Sequence, residues 1–193
     1  MEPIILASAS PRRRELLSQA GIPFEVLPGN VEEDLARLDG SPAEKAMQLA
    51  CEKAGSVAGD CAKGLVLGAD TIVVVDGSIF GKPSDGADAR RMLKELSGRE
   101  HSVITGLALI DTRSGESKTC YEETRVRFAR LADNEIEAYI RTGEPFDKAG
   151  AYAVQGRGAL LVEGIEGCYS NVVGLPLMRL RRLLEEFGLD PLA

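Results

Sequence analysis

IILASASPRRRELL, residues 4–17, is the stretch that decides the fold. Its apolar start predicts a buried strand, and Ser10 followed by Pro11 predicts an N-cap and the first position of a helix. Residues 12–14 are arginines in the first helical turn, where cations cost up to about 1 kcal/mol each. We therefore expect an anion such as a polyphosphate at this helix N-terminus, although a solvated basic face would use the same residues.

The composition limits the class of protein. The chain has 193 residues, of which 44% are hydrophobic and 27% charged, and this fits a single domain over residues 1–193 with room for two lobes. A formal net charge of −7 argues against stable nucleic-acid binding and against membrane-surface binding. A local group of Arg and Lys in an acidic protein favours a small anionic ligand.

Cysteine and histidine usage predicts a cytoplasmic protein without a zinc site. The four cysteines show no Cys-x-x-Cys spacing, and the single histidine, His101, is expected on the surface at the edge of a strand. Unpaired cysteines are typical of a reducing compartment. The N-terminal residues lack a signal-peptide pattern, and no apolar run approaches the roughly 18 residues of a membrane span.

Residues 65–75 form the most apolar segment and predict a central strand followed by a hairpin turn. Asp70 interrupts this strand, and a buried carboxylate without a partner costs several kcal/mol. Backbone N–H groups would make Asp70 structural. We favour a metal ligand or a general base at the edge of a cleft, because Gly68 and Ala69 leave room beside it.

Local signals place the other elements. Ser41 to Glu44 is a capping box that opens a helix to about Val57, whose core face is expected to hold Met47, Ala50, Ala54 and Val57. Residues 102–111 and 117–129 alternate like an antiparallel pair whose edge can support a homodimer. Residues 144–158 predict a binding loop. Further expected elements are a helix capped by Asp85 or Ser84 and ending at Leu96, a helix over 133–142, a strand over 159–165 and a last helix ending near Phe187.

Taken together, these motifs resemble the Maf family of nucleoside triphosphate pyrophosphatases along nearly the whole chain. Each motif is weak alone, but their order and spacing are specific. The matching pieces are Ser8-Ala9-Ser10-Pro11-Arg12-Arg13, Glu32-Glu33, Glu52-Lys53-Ala54, Gly68-Ala69-Asp70-Thr71, Gly81-Lys82-Pro83, Leu96-Ser97-Gly98, Asp147-Lys148-Ala149-Gly150-Ala151-Tyr152 with Gln155-Gly156, and Val173-Gly174-Leu175-Pro176.

The resemblance implies a mixed α/β fold similar to that of inosine triphosphatases, with an elongated twisted sheet, flanking helices and two lobes around a central cleft. It implies cleavage between the α- and β-phosphates, which gives a nucleoside monophosphate and diphosphate with the help of a divalent cation. On the family pattern Asp70 is the proton acceptor. Arg12, Thr71 and Gln155 match the dTTP/UTP subgroup, whereas the 7-methyl-GTP subgroup typically carries Trp at the position of Arg12.

Chemical roles follow from these residue types. We expect phosphate contacts from the cations Arg12, Arg13, Lys53 and Lys82 and from the hydroxyl groups of Ser8 and Ser10. Glu33 and Asp70 are expected to bind Mg²⁺ or Mn²⁺. Asp70 then accepts a proton from the attacking water or chiefly orients that water. Thr71 and Gln155 can contact the edge of a pyrimidine base.

Two alternatives remain open at this stage. The physiological substrates of such an enzyme can be modified pyrimidine nucleotides, with dTTP and UTP as convenient substitutes. A different class of protein, a nucleotide-binding regulator of cell division and septum formation, would bind the nucleotide without turnover. Glu33, Asp70, Lys53 and Lys82 together argue against a pure binding protein, because binding does not need a carboxylate that activates water.

Overall fold

The computed structural model describes residues 2–31, 34–61 and 64–192, and within them the strands form one mixed sheet. These strands are β1 (Ile4–Leu6), β2 (Phe24–Val26), β3 (Leu65–Val75), β4 (Ser78–Phe80), β5 (Glu100–Asp111), β6 (Ser117–Phe128) and β7 (Val162–Glu166). The order is β2-β1-β3-β5-β6-β7, and β4 pairs with β3. Strand β1 runs parallel to β2 and β3, whereas β4 is antiparallel to β3 and β7 is antiparallel to β6. The predicted mixed α/β class is confirmed.

The described residues also form helices and several short 3₁₀ turns. The helices are α1 (Pro11–Gln19), α2 (Pro42–Ala58), α3 (Gly86–Leu96), α4 (Asp133–Ile140), α5 (Tyr169–Val173) and α6 (Leu177–Glu185). The 3₁₀ turns are Leu35–Arg37, Glu144–Asp147, Ala149–Ala151 and Gly156–Leu161. Over this part of the chain, no helix has both the length and the apolar character that crossing a membrane requires.

Of the predicted helix caps, those at Ser41 and Asp85 are formed and the one at Ser10 is not. In α2 the hydroxyl of Ser41 accepts the amide of Glu44 at 3.3 Å and the Glu44 carboxylate accepts the amide of Ser41 at 2.7 Å, so the capping box is confirmed. In α3 the Asp85 carboxylate accepts the amide of Asp88 at 2.8 Å. Ser10 occupies the N-cap position of α1, but its side chain makes no capping hydrogen bond.

Several expected boundaries and faces were wrong. Strand β7 begins at Val162 rather than at residue 159, because residues 156–161 curl into a 3₁₀ turn. On α2, Ala50, Ala54 and Val57 are buried as expected, but Met47 is only half-buried at the edge of that face. The short helix α5 lies where only a connection before the last helix was expected.

The chain divides into two compact units. The first unit holds the chain up to Asp70, Thr105–Glu122 and the chain from Gly174 onward. Its core includes a group of small and branched side chains: Ala7, Ala50, Ala54, Val57, Val66 and Ala108. The second unit holds Thr71–Ile104 and Glu123–Val173. Its core includes several large side chains, among them Phe80, Met92, Leu93, Phe128, Ile136, Tyr139 and Tyr152.

Within the first unit, helix α2 packs very closely on β3 and β5 at two glycines. A methyl group on Gly68 would overlap the carbonyl oxygen of Ala50 and would lie 2.8 Å from the amide nitrogen of Ala54. A methyl group on Gly106 would overlap the backbone of Ala46 in the same way. Only glycine allows this approach, so the room that Gly68 leaves is filled by the helix backbone.

His101 is buried, with 4% of its surface exposed, and the expectation of a surface position was wrong. Its Nε2 atom lies 2.7 Å from the hydroxyl of Tyr152, and its ring makes edge contacts with Phe128 and Tyr152 at centroid distances of 5.1 and 5.3 Å. Burial lowers the pKa of His101 from 6.5 to about 4. The aromatic partners lie far away in the sequence, so the periodicity around His101 does not predict its burial.

This burial predicts a pH dependence of stability. Protonation favours the unfolded chain, in which the pKa is the ordinary 6.5, so the stabilisation is complete above that pH and is lost as the pH falls toward 4. Between pH 7.5 and 5.5 the free energy of unfolding should fall by about 1.4 kcal/mol, measured by urea denaturation. Because the chain has one histidine, His101→Gln should flatten the curve in this interval. An unchanged slope in that variant would contradict the assignment.

Candidate active site

The turn between β1 and α1 is held by the buried side chain of Arg13, which is 9% exposed. Its Nε donates to the carbonyl oxygen of Gly174 at 2.9 Å, and its Nη1 donates to the hydroxyl oxygen of Ser8 at 3.0 Å. The amide of Ser10 also donates to Ser8 Oγ at 3.3 Å. Arg13 therefore links this turn to the segment before α6, and Ser8 Oγ accepts two hydrogen bonds and keeps its own proton to donate.

The N-terminus of α1 carries the groups from which the sequence predicts an anion site. Its first turn contains no acidic residue, and Ser10 does not cap it with its side chain. Arg12 is half-buried in that turn, and Arg14 is exposed. Backbone N–H groups at a helix start carry partial positive charge, and a guanidinium beside them adds a full one.

Asp70 and Lys53 form a buried ion pair in the first unit. The Lys53 ammonium lies 2.5 Å from Asp70 Oδ1, and the two side chains are 12% and 8% exposed. Asp70 projects from the same face of β3 as Gly68, since residues two apart on a strand share a face. The close approach of α2 at Gly68 brings Lys53, on the next turn of that helix, to the carboxylate. The expectation that Asp70 has a partner is confirmed.

Thr71, Lys82 and Gln155 lie in the second unit. Thr71 follows Asp70 on β3 and projects from the opposite face, which it shares with Val73. Val73 packs against Gly150, where a methyl group would lie 2.9 Å from the valine side chain.

The bend that carries Lys82 also meets this segment. The amide of Gly150 donates to the carbonyl oxygen of Gly81 at 3.0 Å. Lys82 is exposed next to Gly81, and Gln155 is half-buried five residues beyond Gly150. One hydrogen bond thus joins the Lys82 bend to the segment that leads to Gln155.

The acidic cluster cannot be placed in the same way, because Glu32 and Glu33 lie outside the described residues. Among residues 2–31, 34–61 and 64–192, no group of three or more His, Cys, Asp or Glu side chains is arranged to hold a metal ion. Mg²⁺ in nucleotide enzymes commonly binds one or two carboxylates together with substrate phosphates. Asp70 is one such carboxylate, and because it is paired with the Lys53 ammonium, a metal that binds with the nucleotide would share it with that cation.

Two structural contributors to the site were missed. The Gly174 carbonyl fixes Arg13, and the Glu144 carboxylate accepts backbone amides just after Gln155. The sequence carries a signal for the second, since a Gly143-Glu144-Pro145 turn precedes a glycine-rich stretch. It carries no signal for the contact between Arg13 and the Gly174 carbonyl, because every residue has a backbone carbonyl and residue type does not identify the one that accepts.

Comparison with known proteins gives a family match over nearly the whole chain. The profile described as "Maf-like protein" matches residues 3–187. A dTTP/UTP pyrophosphatase of Ruminiclostridium cellulolyticum is 55% identical over 188 residues, which cover 97% of both chains. A dTTP/UTP pyrophosphatase of Moorella thermoacetica is 52% identical over 190 residues, which cover 98% of this chain and 97% of the relative.

A solved structure shares the fold. The Ham1 protein of Staphylococcus aureus matches with a TM-score of 0.53 at 16% identity, over 96% of this chain and 99% of that chain. At this level of identity the similarity concerns the arrangement of strands and helices alone.

Proposed function

Because the chain belongs to the Maf-like family, we propose that it is a nucleoside triphosphate pyrophosphatase that hydrolyses dTTP and UTP to the monophosphate and diphosphate. The observation that carries this proposal is the identity of 55% and 52%, over nearly full length, to relatives named for that activity. The buried Lys53–Asp70 pair supports it, since it brings together a carboxylate and a cation, the two kinds of group that hydrolysis of a polyphosphate needs.

We expect the groups around α1 and α2 to bind the phosphates. Arg12 and the N–H groups of the first turn of α1 can contact phosphate oxygens, and the Ser8 hydroxyl can donate its proton to them. Arg13 supports this turn through Ser8 and Gly174 in addition to its charge. Lys53 adds a cation beside Asp70, and Lys82, which belongs to the second unit, is proposed as a further phosphate contact.

Asp70 is proposed to accept a proton from the attacking water or to orient that water. The water oxygen forms a bond to one of the two phosphorus atoms that the α,β-bridging oxygen joins, the bond from that phosphorus to the bridging oxygen breaks, and the nucleoside monophosphate and diphosphate separate. A divalent cation held by Asp70 and Glu33 would neutralise phosphate charge and lower the pKa of a bound water. Lys53, by its contact with Asp70, keeps the carboxylate in place before the nucleotide binds.

Thr71 and Gln155 are proposed to select the pyrimidine base. A glutamine amide offers one acceptor and two donors, which matches the imide edge shared by thymine and uracil. Both residues belong to the second unit, on the face of β3 that packs against Gly150 and on the loop that follows it. Discrimination by hydrogen bonds to a base edge is strong, because a wrong base leaves buried polar groups without partners.

The test is an assay of the purified protein with dTTP and UTP, in which diphosphate and monophosphate are both measured. We expect equal amounts of the two products and no release of inorganic phosphate. EDTA should abolish the activity, and added Mg²⁺ or Mn²⁺ should restore it. Modified pyrimidine triphosphates in the same assay rank the substrates by kcat/KM. Nucleotide binding without diphosphate release would contradict the proposal, and full activity in EDTA would exclude the metal from it.

A further inference from the structure

The chain around Gln155 forms a small closed loop within the second unit. The end of this loop packs against its start: a methyl group on Gly158 would overlap the carbonyl oxygen of Ala153. The same methyl group would lie 2.8 Å from the buried hydroxyl of Tyr139. Residues 153–158 therefore have little freedom at their base, and Gln155 lies between the two ends.

The Glu144 carboxylate holds the returning arm of this loop. Its Oε1 accepts the amide of Arg157 at 3.2 Å, and its Oε2 accepts the amide of Gly158 at 3.3 Å. These amides open the 3₁₀ turn Gly156–Leu161, where the first N–H groups have no partner inside the turn. Gln155 precedes that turn, but its own side chain makes no capping hydrogen bond. Glu144 supplies the cap from a distant part of the chain, so the Gln155 side chain is not consumed as one.

Glu144 is itself fixed by its neighbours. Its amide donates to the hydroxyl of Thr142 at 3.1 Å, and its carbonyl oxygen accepts the ammonium of Lys148 at 2.6 Å. Gly143 before it takes the left-handed conformation, with φ of 78°. The carboxylate is thus presented from a rigid turn, and hydrogen bonds to a charged acceptor are stronger than neutral ones.

We propose that Glu144 is a positioning residue that sets the place of Gln155 and thereby the preference for pyrimidine nucleotides. The inference rests on the proposed function, because Gln155 is assigned to the base there. Glu144 acts through the backbone of Arg157 and Gly158 and does not contact the nucleotide. Removal of the carboxylate charge weakens the hydrogen bonds that hold Arg157 and Gly158, so Gln155 can move. A displacement of about 1 Å can cost on the order of 100-fold in rate.

The first arm of the test measures the loop without using activity. In Glu144→Gln one of the two amides loses its acceptor and the other exchanges a charged acceptor for a neutral one, so hydrogen exchange at Arg157 and Gly158 should accelerate, by about tenfold or more at the amide that loses its acceptor. The matched control is Glu135→Gln, since the Glu135 carboxylate caps α4 in the same unit by accepting the Ala132 amide at 2.7 Å. It should leave exchange at residues 157 and 158 unchanged. Glu144→Asp, one methylene shorter, is the second variant if Glu144→Gln does not fold.

The second arm measures selectivity. The ratio of kcat/KM for UTP to that for GTP should fall by about 10- to 100-fold in Glu144→Gln and stay constant in Glu135→Gln. In a Gln155→Ala background the same Glu144 change should have little further effect on this ratio, because both changes act through one side chain. Binding of UTP and GTP analogues with an uncleavable α,β-bridge gives the same comparison without turnover.

The outcomes separate the two proposals. An equal drop in the ratio with and without Gln155, an unchanged ratio, or unchanged exchange at Arg157 and Gly158 would each overturn the role of Glu144. Suppose that the wild type releases no diphosphate but still binds the UTP analogue selectively, and that this selectivity depends on Glu144 through Gln155. That result would overturn the proposed function and support the positioning role. Absence of any pyrimidine preference in the wild type would overturn both.

Discussion

Replacement of Asp70 by asparagine is expected to lower kcat with dTTP and UTP by about 10²–10⁴-fold, the usual contribution of a group that transfers a proton. Asparagine keeps the size and most of the hydrogen-bonding capacity of the side chain but loses its charge. It can neither accept the proton of the water nor hold a divalent cation as a carboxylate does. Steady-state diphosphate release at saturating nucleotide measures the effect.

The buried Lys53–Asp70 pair makes stability the main confounding factor. Either single change, Asp70→Asn or Lys53→Met, leaves one charged group in a largely buried place and should cost about 3 kcal/mol or more of unfolding free energy. The double variant removes both charges, so it should recover much of that stability while activity stays lost. Urea denaturation of all three variants separates folding from catalysis. Near-normal kcat in Asp70→Asn would contradict its role as base or ligand.

Gly68→Ala is expected to lower both stability and activity, although the residue bears no functional group. The new methyl group would overlap the carbonyl oxygen of Ala50, which is backbone and cannot rotate away. Helix α2 must move off β3, at a cost of about 3 kcal/mol. The movement also carries Lys53 away from Asp70, so kcat/KM should fall on the order of 100-fold.

The matched control for this glycine is Gly55→Ala on the same helix. Gly55 is exposed, and a methyl group there would meet no atom within 4 Å. Alanine should stabilise the protein by about 0.4–1 kcal/mol, because it restricts the unfolded chain and favours helix, and it should leave kcat/KM unchanged. Thermal or urea denaturation with the diphosphate assay checks both variants. A Gly68→Ala protein as stable as the wild type would contradict the close approach of α2.

The fold was largely predictable where local chemistry sets it. The capping box at Ser41, the cap at Asp85 and the apolar run of β3 each depend on residues a few positions apart, and all three were found correctly. Errors arose where a remote group intervenes. The turn at residues 156–161 replaces the expected start of β7, and Glu144 accepts its amides from 13 and 14 positions away in the chain.

The candidate site also has features that the sequence predicts and features that it does not. Residue types and motif order nominate Arg12, Arg13, Asp70 and Lys53 and predict an anion site at the start of α1. They did not show that Arg13 is buried against Gly174, or that His101 lies against Phe128 and Tyr152. These contacts depend on the packing of distant elements, which neither spacing nor periodicity records.

The sequence by itself determined which chemistry is present: a cationic helix start, a carboxylate in an apolar strand and a polar, glycine-rich loop. The tertiary structure alone decided which of these groups meet. Asp70 meets Lys53 because Gly68 lets α2 approach β3, and Arg13 meets Ser8 and Gly174 because α1 and the segment before α6 belong to the same unit. The physical reason is that residue type fixes charge and local propensity, whereas burial and pairing follow from close packing between elements far apart in the chain.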